Sequence, residues 1–217
     1  MSVPFIRNHQ YNVVKKQADI LHNACNTVAD PKVVESVRLG AHDKIVEAFP
    51  DATALQKQAL ETILALKTAG DFQQYLRSLE PLLAEFTPVT DKQLKKLFPK
   101  NKKLKLPDLA AIDYRYVTYH GWTDIATNKL FIVYHLNGQL VGVEGRFTPV
   151  NKKVVCFLCN RHTEGALFSA ITKSKPANAS PDYYKAIGNY MCVNSDACNA
   201  NITDVAPLEK FIHAVIG

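Results

Sequence analysis

Apolar side chains in the first ninety residues recur at the spacing of helices. The pattern predicts one helix that begins near Tyr11 and ends at Asp30-Pro31, because a proline blocks the helix that precedes it. A second helix is predicted from Pro31 to Phe49. In both, apolar residues three or four positions apart form a single buried stripe. The stripe residues are Tyr11, Val14, Ala18, Leu21, Cys25 and Val28 in the first helix and Val34, Val37, Ala41 and Ile45 in the second.

Two further helices are predicted before residue 87. Asp51 or Thr53 can cap the third, which ends near Gly70, and Asp71 can cap the fourth. Four amphipathic helices with short connections favour an antiparallel bundle, so we expect a helical domain over residues 1–87 with Cys25 in its core. The apolar residues of these two helices are Leu60, Ile63, Leu64, Phe72, Tyr75, Leu76, Leu79 and Leu83.

Thr87-Pro88 marks the boundary to a second predicted domain, residues 88–217. Just beyond it, Thr90 and Gln93 stand three positions apart, which is the spacing of a capping box. In such a box, each of the two side chains accepts a hydrogen bond from the backbone N–H of the other residue. The sequence therefore predicts a short helix that begins at Thr90 and continues to Phe98.

The pattern of the second domain then changes from helical to strand-like. Apolar positions alternate over residues 114–119, and a run rich in β-branched and aromatic side chains covers residues 129–136. That run meets Asn137-Gly138, the dipeptide most typical of a two-residue hairpin turn. Apolar residues at helical spacing return at 208–215. The chain is therefore predicted to be α+β, with a helical bundle followed by a mixed domain.

Four of the five cysteines lie close to the C-terminus. Cys156 and Cys159 are separated by two residues, and Cys192 and Cys198 by five. Each pair can give two thiolates to one tetrahedral ion, so the set predicts one Zn²⁺ site. Four thiolates leave no open coordination position, which indicates a structural role. The long connection between the pairs suits a treble-clef arrangement, whose zinc core we place at about residues 150–217.

Other interpretations of these cysteines exist. A thioredoxin-like redox pair needs only the first two, and an iron–sulfur cluster would also use four thiolates. His162 follows Cys159 closely, but with four cysteines present we expect it to be a solvated loop histidine. Zinc explains the whole set with the fewest assumptions.

Composition and length are those of a globular protein and argue against a membrane or secreted one. The chain has 217 residues, of which 47% are hydrophobic, and can bury ordinary globular cores. No apolar run approaches the roughly 20 residues of a membrane helix. The N-terminus lacks the apolar region of a signal peptide, so we expect a cytoplasmic protein without membrane contact. Since no catalytic triad, paired carboxylates or phosphate loop stands out, the chain is not expected to be an enzyme.

The formal net charge is +6 and the isoelectric point is about 9.0. Residues 92–105 contain no acid and seven lysines. Such a density indicates contact with an acidic protein or RNA, although a merely solvated face would read the same way. Lysine does not read base edges, so we expect no sequence-specific DNA recognition. The seven residues are Lys92, Lys95, Lys96, Lys100, Lys102, Lys103 and Lys105.

Aromatic residues near the C-terminus allow two interpretations each. Phe211 belongs to the stripe of the last predicted helix, so it is either core or an exposed anchor for a partner. Tyr183, Tyr184 and Tyr190 lie near the second cysteine pair. They suit an interface, because tyrosine combines a rigid apolar ring with a polar tip, but half-buried packing is an equal alternative.

Several short segments follow one another in a set order. They comprise His9-Gln-Tyr-Asn12, Gly121 to Lys129, Cys156-x2-Cys159, Leu167-Phe168, Lys173-Ser-Lys175, Gly188-Asn-Tyr-Met-Cys192, Cys198-Asn199, Thr203-Asp204 and the final helix with its phenylalanine. Through their order and spacing, the chain resembles the elongation factor G-binding proteins of the fusidic acid resistance (FusB-type) group. The resemblance extends over nearly the whole length.

The resemblance implies an N-terminal helical bundle and a treble-clef-like zinc domain that binds elongation factor G. It also implies that binding helps the factor leave the ribosome, where fusidic acid locks it. Tyr190 and Phe211 match interface positions of the family. The chain departs from the family at Val155, where relatives have an aromatic residue, and at Ile187, where they have a basic one that Lys185 can replace.

These observations predict a monomeric adaptor that binds elongation factor G and meets the ribosome only indirectly. The zinc ion would hold its docking surface in shape. The alternative is a zinc-containing module that binds rRNA through residues 92–105. The two differ in salt dependence, because phosphate binding falls steeply as salt rises.

Overall fold

A computed structural model describes residues 3–174, 178, 180 and 183–217. Its residues form two compact units, Met1–Ala84 and Glu85–Gly217. Helices make up the first unit, and a sheet with flanking helices makes up the second. The mixed α+β class is thus confirmed. Within the described residues, no helix is long and apolar enough to cross a membrane.

The described part of the first unit contains four α-helices. They are α1 (Asn8–Thr27), α2 (Pro31–Glu47), α3 (Ala54–Glu61) and α4 (Ala69–Leu79), with 3-10 turns at Thr62–Ala65 and Glu80–Leu82. Helix α1 packs against α2 and α4. The number and order of helices agree with the sequence pattern, and the antiparallel four-helix bundle remains a prediction.

The helix starts follow side-chain caps. The Asp30 side chain accepts a hydrogen bond from Lys32 N at the start of α2. Thr53, one of the two expected caps, begins α3. The prediction for α4 was one turn late, because Thr68 is its cap and Asp71 is the acidic partner in the same capping box. Each pairing satisfies amide groups that the first helical turn leaves without partners.

Two expectations for the first unit are wrong in detail. Helix α3 ends at Glu61 and a 3-10 turn follows, so no helix continues to Gly70. Cys25 is only half-buried, and Ala24 beside it takes the buried position. One buried residue that the pattern missed is Arg38, whose guanidinium donates to the carbonyls at the end of the 3-10 turn. Its acceptors are the carbonyl oxygens of Ile63, Leu64 and Leu66 at 3.5, 3.0 and 2.7 Å.

The second unit is built on one antiparallel sheet. Its strands are β1 (His120–Asp124), β2 (Lys129–Leu136), β3 (Gln139–Val155), β4 (His162–Ile171) and β5 (Ala186–Cys192), in the spatial order of the chain. Helix α5 (Asp91–Leu97) precedes the sheet, and α6 (Ser195–Asn199) and α7 (Ala206–Ile216) follow it. As predicted, Thr90 and Gln93 form the capping box of α5.

The predicted hairpin is confirmed. Strands β2 and β3 pair from Lys129–Arg146 to Leu136–Gln139, and the turn between them uses φ values of 50° at Asn137 and 77° at Gly138. These are the left-handed conformations that Asn-Gly adopts readily. The alternation over residues 114–119 was misleading. A 3-10 turn, Tyr114–Tyr116, lies there because the Asp113 side chain accepts from Arg115 N and bends the chain.

The two faces of the sheet are covered differently. One face packs against α7 through a core that includes Phe147, Phe168 and Met191. On the other face, α5 places Leu94 and Phe98 over β1 and β2. That second face is not covered throughout, since Leu167 of β4 and its cross-strand partner Tyr190 of β5 remain exposed. We call this uncovered part, on β3, β4 and β5, the open face.

Candidate metal centre and its surroundings

Four cysteine sulfurs meet at the end of the sheet. The Sγ atoms of Cys156, Cys159, Cys192 and Cys198 all lie within 4.8 Å of one another, and all four residues are buried. The Cys156–Cys198 pair is 3.7 Å apart and the Cys159–Cys192 pair 3.5 Å. Tetrahedral zinc with bonds of about 2.3 Å to sulfur separates its ligands by about 3.8 Å. The sulfurs are therefore spaced as one zinc ion requires.

The first cysteine pair sits on a tight knuckle at the end of β3. Cys156 N donates to Arg161 O at 3.0 Å, and Asn160 N donates to Cys156 O at 2.9 Å. Asn160 adopts a left-handed φ of 59°, which reverses the chain. Phe157 N donates to the carbonyl oxygen of Tyr190, so the knuckle is joined to β5. This local folding turns both sulfurs inward.

The second pair joins a strand end to a short helix. Cys192 is the last residue of β5, and Cys198 lies in α6. The Asn194 side chain accepts from Asp196 N at 2.7 Å and from Ala197 N at 3.0 Å, which caps α6. Five residues between the ligands are needed because the chain must leave the strand and start a helix. This geometry explains the wide spacing in the sequence.

Electrostatics favour a bound cation at this cluster. Hydrogen bonds from Cys159 and the other thiols lower the pKa of Cys156, while the hydrogen bond to Cys156 raises the pKa of Cys198. The ionised Cys156 thus suppresses ionisation of Cys198, since buried like charges repel. A divalent cation removes this conflict and allows all four to ligate as thiolates. His162 is exposed at the start of β4 and is not part of the cluster.

The cysteine cluster is braced against β1 by residues whose structural part the sequence did not predict. Asn199 follows Cys198 and bonds the backbone of residues 118 and 119. Tyr119 is fully buried, and desolvation raises its pKa, with the nearby Cys198 as a further cause. A Cβ on Gly121 would come within 2.6 Å of both Ser195 Oγ and the Tyr119 ring, so a larger residue here would require one of these side chains to shift.

The expected partner-binding residues do not lie together. Tyr190 is 40% exposed on the open face, with Lys152 Nζ 5.8 Å from its ring centre. Lys185 is exposed just before β5, and its carbonyl oxygen accepts from Thr172 N. Phe211 is only 4% exposed and packs on the opposite face of the sheet. The core interpretation of Phe211 is therefore confirmed. The part of Tyr190, Lys185 and Phe211 in binding a partner stays a prediction.

The two departures from the family pattern are placed differently. Val155 is exposed at the end of β3, and Ile187 is half-buried against the core beneath β5. Ile187 therefore contributes to packing, while the exposed cation nearby in sequence is Lys185. Of the segments noted in the sequence, Lys175 lies outside the described residues.

Comparison with known protein families decides the affiliation. Residues 5–87 match the model for the N-terminal part of elongation factor G-binding protein. Residues 98–212 match the model for the FBP C-terminal treble-clef zinc-finger, which is more than half of the chain. The chain belongs to the elongation factor G-binding protein family. The FusB-type resemblance is thereby confirmed, and the treble clef with its four clustered cysteines supports one structural Zn²⁺.

The structure of the fusidic acid resistance protein FusC is similar to this member of the family. The two share 27% sequence identity and superpose with a TM-score of 0.81, and the match covers 100% of each chain. The search of curated proteins finds no match. The family is one of binding and resistance proteins.

Proposed function

We propose that this protein binds elongation factor G through its zinc domain and promotes release of the factor from the ribosome, counteracting fusidic acid. Family membership and the similarity to FusC over the full length support the proposal. The resemblance supplies the direction of the effect. Binding would relieve the stalled complex because elongation factor G bound to this protein would be more stable than elongation factor G trapped on the ribosome.

The observation that carries the proposal is the open face beside the metal centre. Leu167 and Tyr190 pair across β4 and β5 and are 37% and 40% exposed. Exposed apolar side chains on a rigid sheet, next to a metal-braced turn, are typical of a protein interface. Tyr190 also occupies the position that the resemblance assigns to binding.

The proposed mechanism is not catalytic. A protein that binds the released conformation of elongation factor G more tightly than the ribosome-bound one shifts the equilibrium by the difference in affinity. Zinc keeps the open face in shape because its ligands join the end of β3, the end of β5 and α6. We place the helical domain at residues 1–87 and the zinc domain at residues 88–217.

Calorimetry with purified elongation factor G tests the docking surface. Replacing Tyr190 with Ala should weaken binding by about tenfold, as loss of an interface anchor does. Ile125→Ala is the matched control, because this side chain is 86% exposed in the same unit away from the open face. Equal affinities of the two variants would place the interface elsewhere.

A release assay tests the mechanism. Ribosomes carrying elongation factor G and fusidic acid are mixed with the protein, and dissociation of labelled factor is followed in time. The protein should accelerate dissociation, and Tyr190→Ala should accelerate it less. A second outcome is tight binding to the free factor without a change in the rate at which the factor leaves the ribosome. In that case the protein would bind elongation factor G but would not promote its release.

We also infer a cytoplasmic monomer that acts without turnover. The alternative function, rRNA binding through residues 92–105, rests on the seven lysines, all of which are exposed. Binding to isolated ribosomal RNA that falls by orders of magnitude between low and moderate salt would favour that alternative. Light scattering of the purified protein tests the monomer.

A further inference from the structure

A groove lies on the open face of the sheet. It has a volume of about 1510 Å³ and lies between the end of α5, strands β2 to β4, and the segment that leads into β5. Its walls include Phe98, Ser169 and Tyr184. Pockets for small ligands usually hold about 300–1,000 Å³, so this groove is better matched to a polypeptide or nucleic-acid segment.

The lining of the groove is strongly basic. Among the described residues it contains one carboxylate, Glu144, whose Oε1 is 3.1 Å from Lys129 Nζ. Five further cations are exposed, and none of them is in an ion pair with a residue that the structure describes. They are Lys96, Lys100, Arg146, Lys173 and Lys185. Charges of one sign along low-dielectric walls attract an anionic partner.

The same groove also offers apolar surface. Ile171 is 62% exposed and Tyr184 72% exposed, and Val215 and Leu97 contribute to the walls. Arg146 and Ile171 belong to the paired strands β3 and β4, so a cation and an apolar side chain lie near each other in the groove. An occupant must therefore carry negative charge and apolar side chains together.

The groove is continuous with the proposed docking surface. Arg146 pairs with Ser169, and Ser169 pairs with Gly188 across β4 and β5. Side chains two positions apart on a strand point to the same face, so Gly188 and Tyr190 share the face that Ser169 lines. A partner on Tyr190 can extend into the groove without leaving the sheet.

We propose that this groove binds an acidic segment of elongation factor G that also carries apolar side chains. The inference rests on the proposed function and adds a second, electrostatic contact to it. The cations would speed and orient association, while Ile171 and Tyr184 would receive the apolar side chains. Apart from its tyrosines, the exposed apolar surface is aliphatic, which favours a protein occupant over stacked bases.

Matched charge reversals within one lysine-rich stretch test the groove. The variant Lys96→Glu/Lys100→Glu changes two groove residues, and Lys102→Glu/Lys103→Glu changes two exposed lysines outside the lining. Each lowers the formal net charge by four from +6, so both alter long-range attraction equally. Arg146→Glu, on the sheet wall, is an independent variant. Thermal melting confirms that each full-length variant is folded.

Affinity and association rate for purified elongation factor G are measured at about 0.05 M and about 0.15 M salt. The groove variant and Arg146→Glu should each bind about tenfold more weakly than the wild type, mainly through slower association, whereas the control should change less than about threefold. If groove and control variants bind equally, the groove inference is overturned while the proposed function stands. Wild-type protein that does not bind at all overturns the proposed function, and the inference with it.

A single-stranded oligouridine RNA separates the two classes of occupant. We expect it to bind all variants weakly and without competing with elongation factor G. Tight RNA binding that Lys96→Glu/Lys100→Glu abolishes, with unchanged affinity for elongation factor G, would assign the groove to RNA and refute a protein occupant.

Discussion

The side chain of Asn199 bonds both backbone groups of Tyr119. Asn199 Oδ1 accepts from Tyr119 N at 3.1 Å, and Asn199 Nδ2 donates to Tyr119 O at 2.9 Å. Oδ1 also accepts from Thr118 N at 2.8 Å. The side-chain amide of Asn199 thus bonds the backbone just before β1 as a neighbouring strand would. It fixes β1 to the helix that carries Cys198. The metal centre and the sheet are joined at this point.

Replacing Asn199 with Ala should destabilise the second unit by about 2–4 kcal/mol, because it leaves buried backbone groups without partners. Denaturant unfolding followed by tryptophan fluorescence measures the effect selectively, since the only tryptophan, Trp122, lies in this unit. Asn201→Ala is the control, as its side-chain bonds to Ala197 O and Arg161 are exposed. Similar decreases in the free energy of unfolding for both variants would show that Asn199 does not stabilise the unit more than an exposed asparagine does.

Zinc removal should unfold the second unit. Structural zinc contributes about 10–16 kcal/mol of binding free energy, which equals or exceeds the net stability of a typical domain. We expect one zinc per chain by atomic absorption and a large change in Trp122 fluorescence on chelation. Cys198→Ser should lose the metal, whereas Cys25→Ser should keep it, since Cys25 lies in the first unit. A metal-free protein with native fluorescence contradicts this account.

Local signals account for what the sequence predicted correctly. Capping residues such as Asp30 and Thr53 act on amides within three positions, and Asn137-Gly138 fixes a turn by its own conformational preference. The cysteine pairs are equally local, because each needs only a short turn to present two sulfurs. Only the meeting of the two pairs is long-range, and the need for four ligands on one ion made it foreseeable.

Long-range contacts account for what the sequence missed. The alternation at residues 114–119 resembles a strand, but the Asp113 cap stabilises a 3-10 turn there instead. Strand pairing therefore begins only at His120. The stripe containing Phe211 could not show what the helix would pack against. Neither the open face nor the groove is visible in sequence, since each depends on how β4 pairs with β5 and where α5 lies.

Phe211 supports the sheet from behind. Its ring lies 5.4 Å from that of Phe157 and 5.6 Å from that of Phe168, measured between centroids. Phe211→Ala should therefore cost about 3–5 kcal/mol of stability, as a large cavity in a core does. Trp122 fluorescence in denaturant measures it, and Lys210→Ala, which changes an exposed neighbour on α7, should be nearly neutral.

The variant also separates folding from binding. If Phe211→Ala binds elongation factor G more weakly, the loss should disappear in Phe211→Leu, which refills most of the cavity without restoring the ring. Stability unchanged in Phe211→Ala, together with lost binding, would instead make this residue a direct contact and refute its role as core.

Asp71 should make the first unit pH-dependent. Its carboxylate accepts from Thr68 N at 2.8 Å and from Lys67 N at 3.1 Å, and these backbone hydrogen bonds, Thr68 first, lower the pKa of Asp71 below its ordinary 3.8. Because the folded pKa is the lower one, the stabilisation is fully present above the unfolded value. It is lost as the pH falls through the folded value.

The variant Asp71→Asn keeps an accepting oxygen and removes the charge. We expect it to lower the thermal midpoint of the helical signal by a few degrees at neutral pH, and the difference from the wild type to vanish as the pH falls below about 3.8. Asp51→Asn is the control, because Thr53 and not Asp51 caps its helix. A midpoint difference for Asp71→Asn that is the same at neutral and acidic pH would show that the charge of Asp71 does not contribute through this cap.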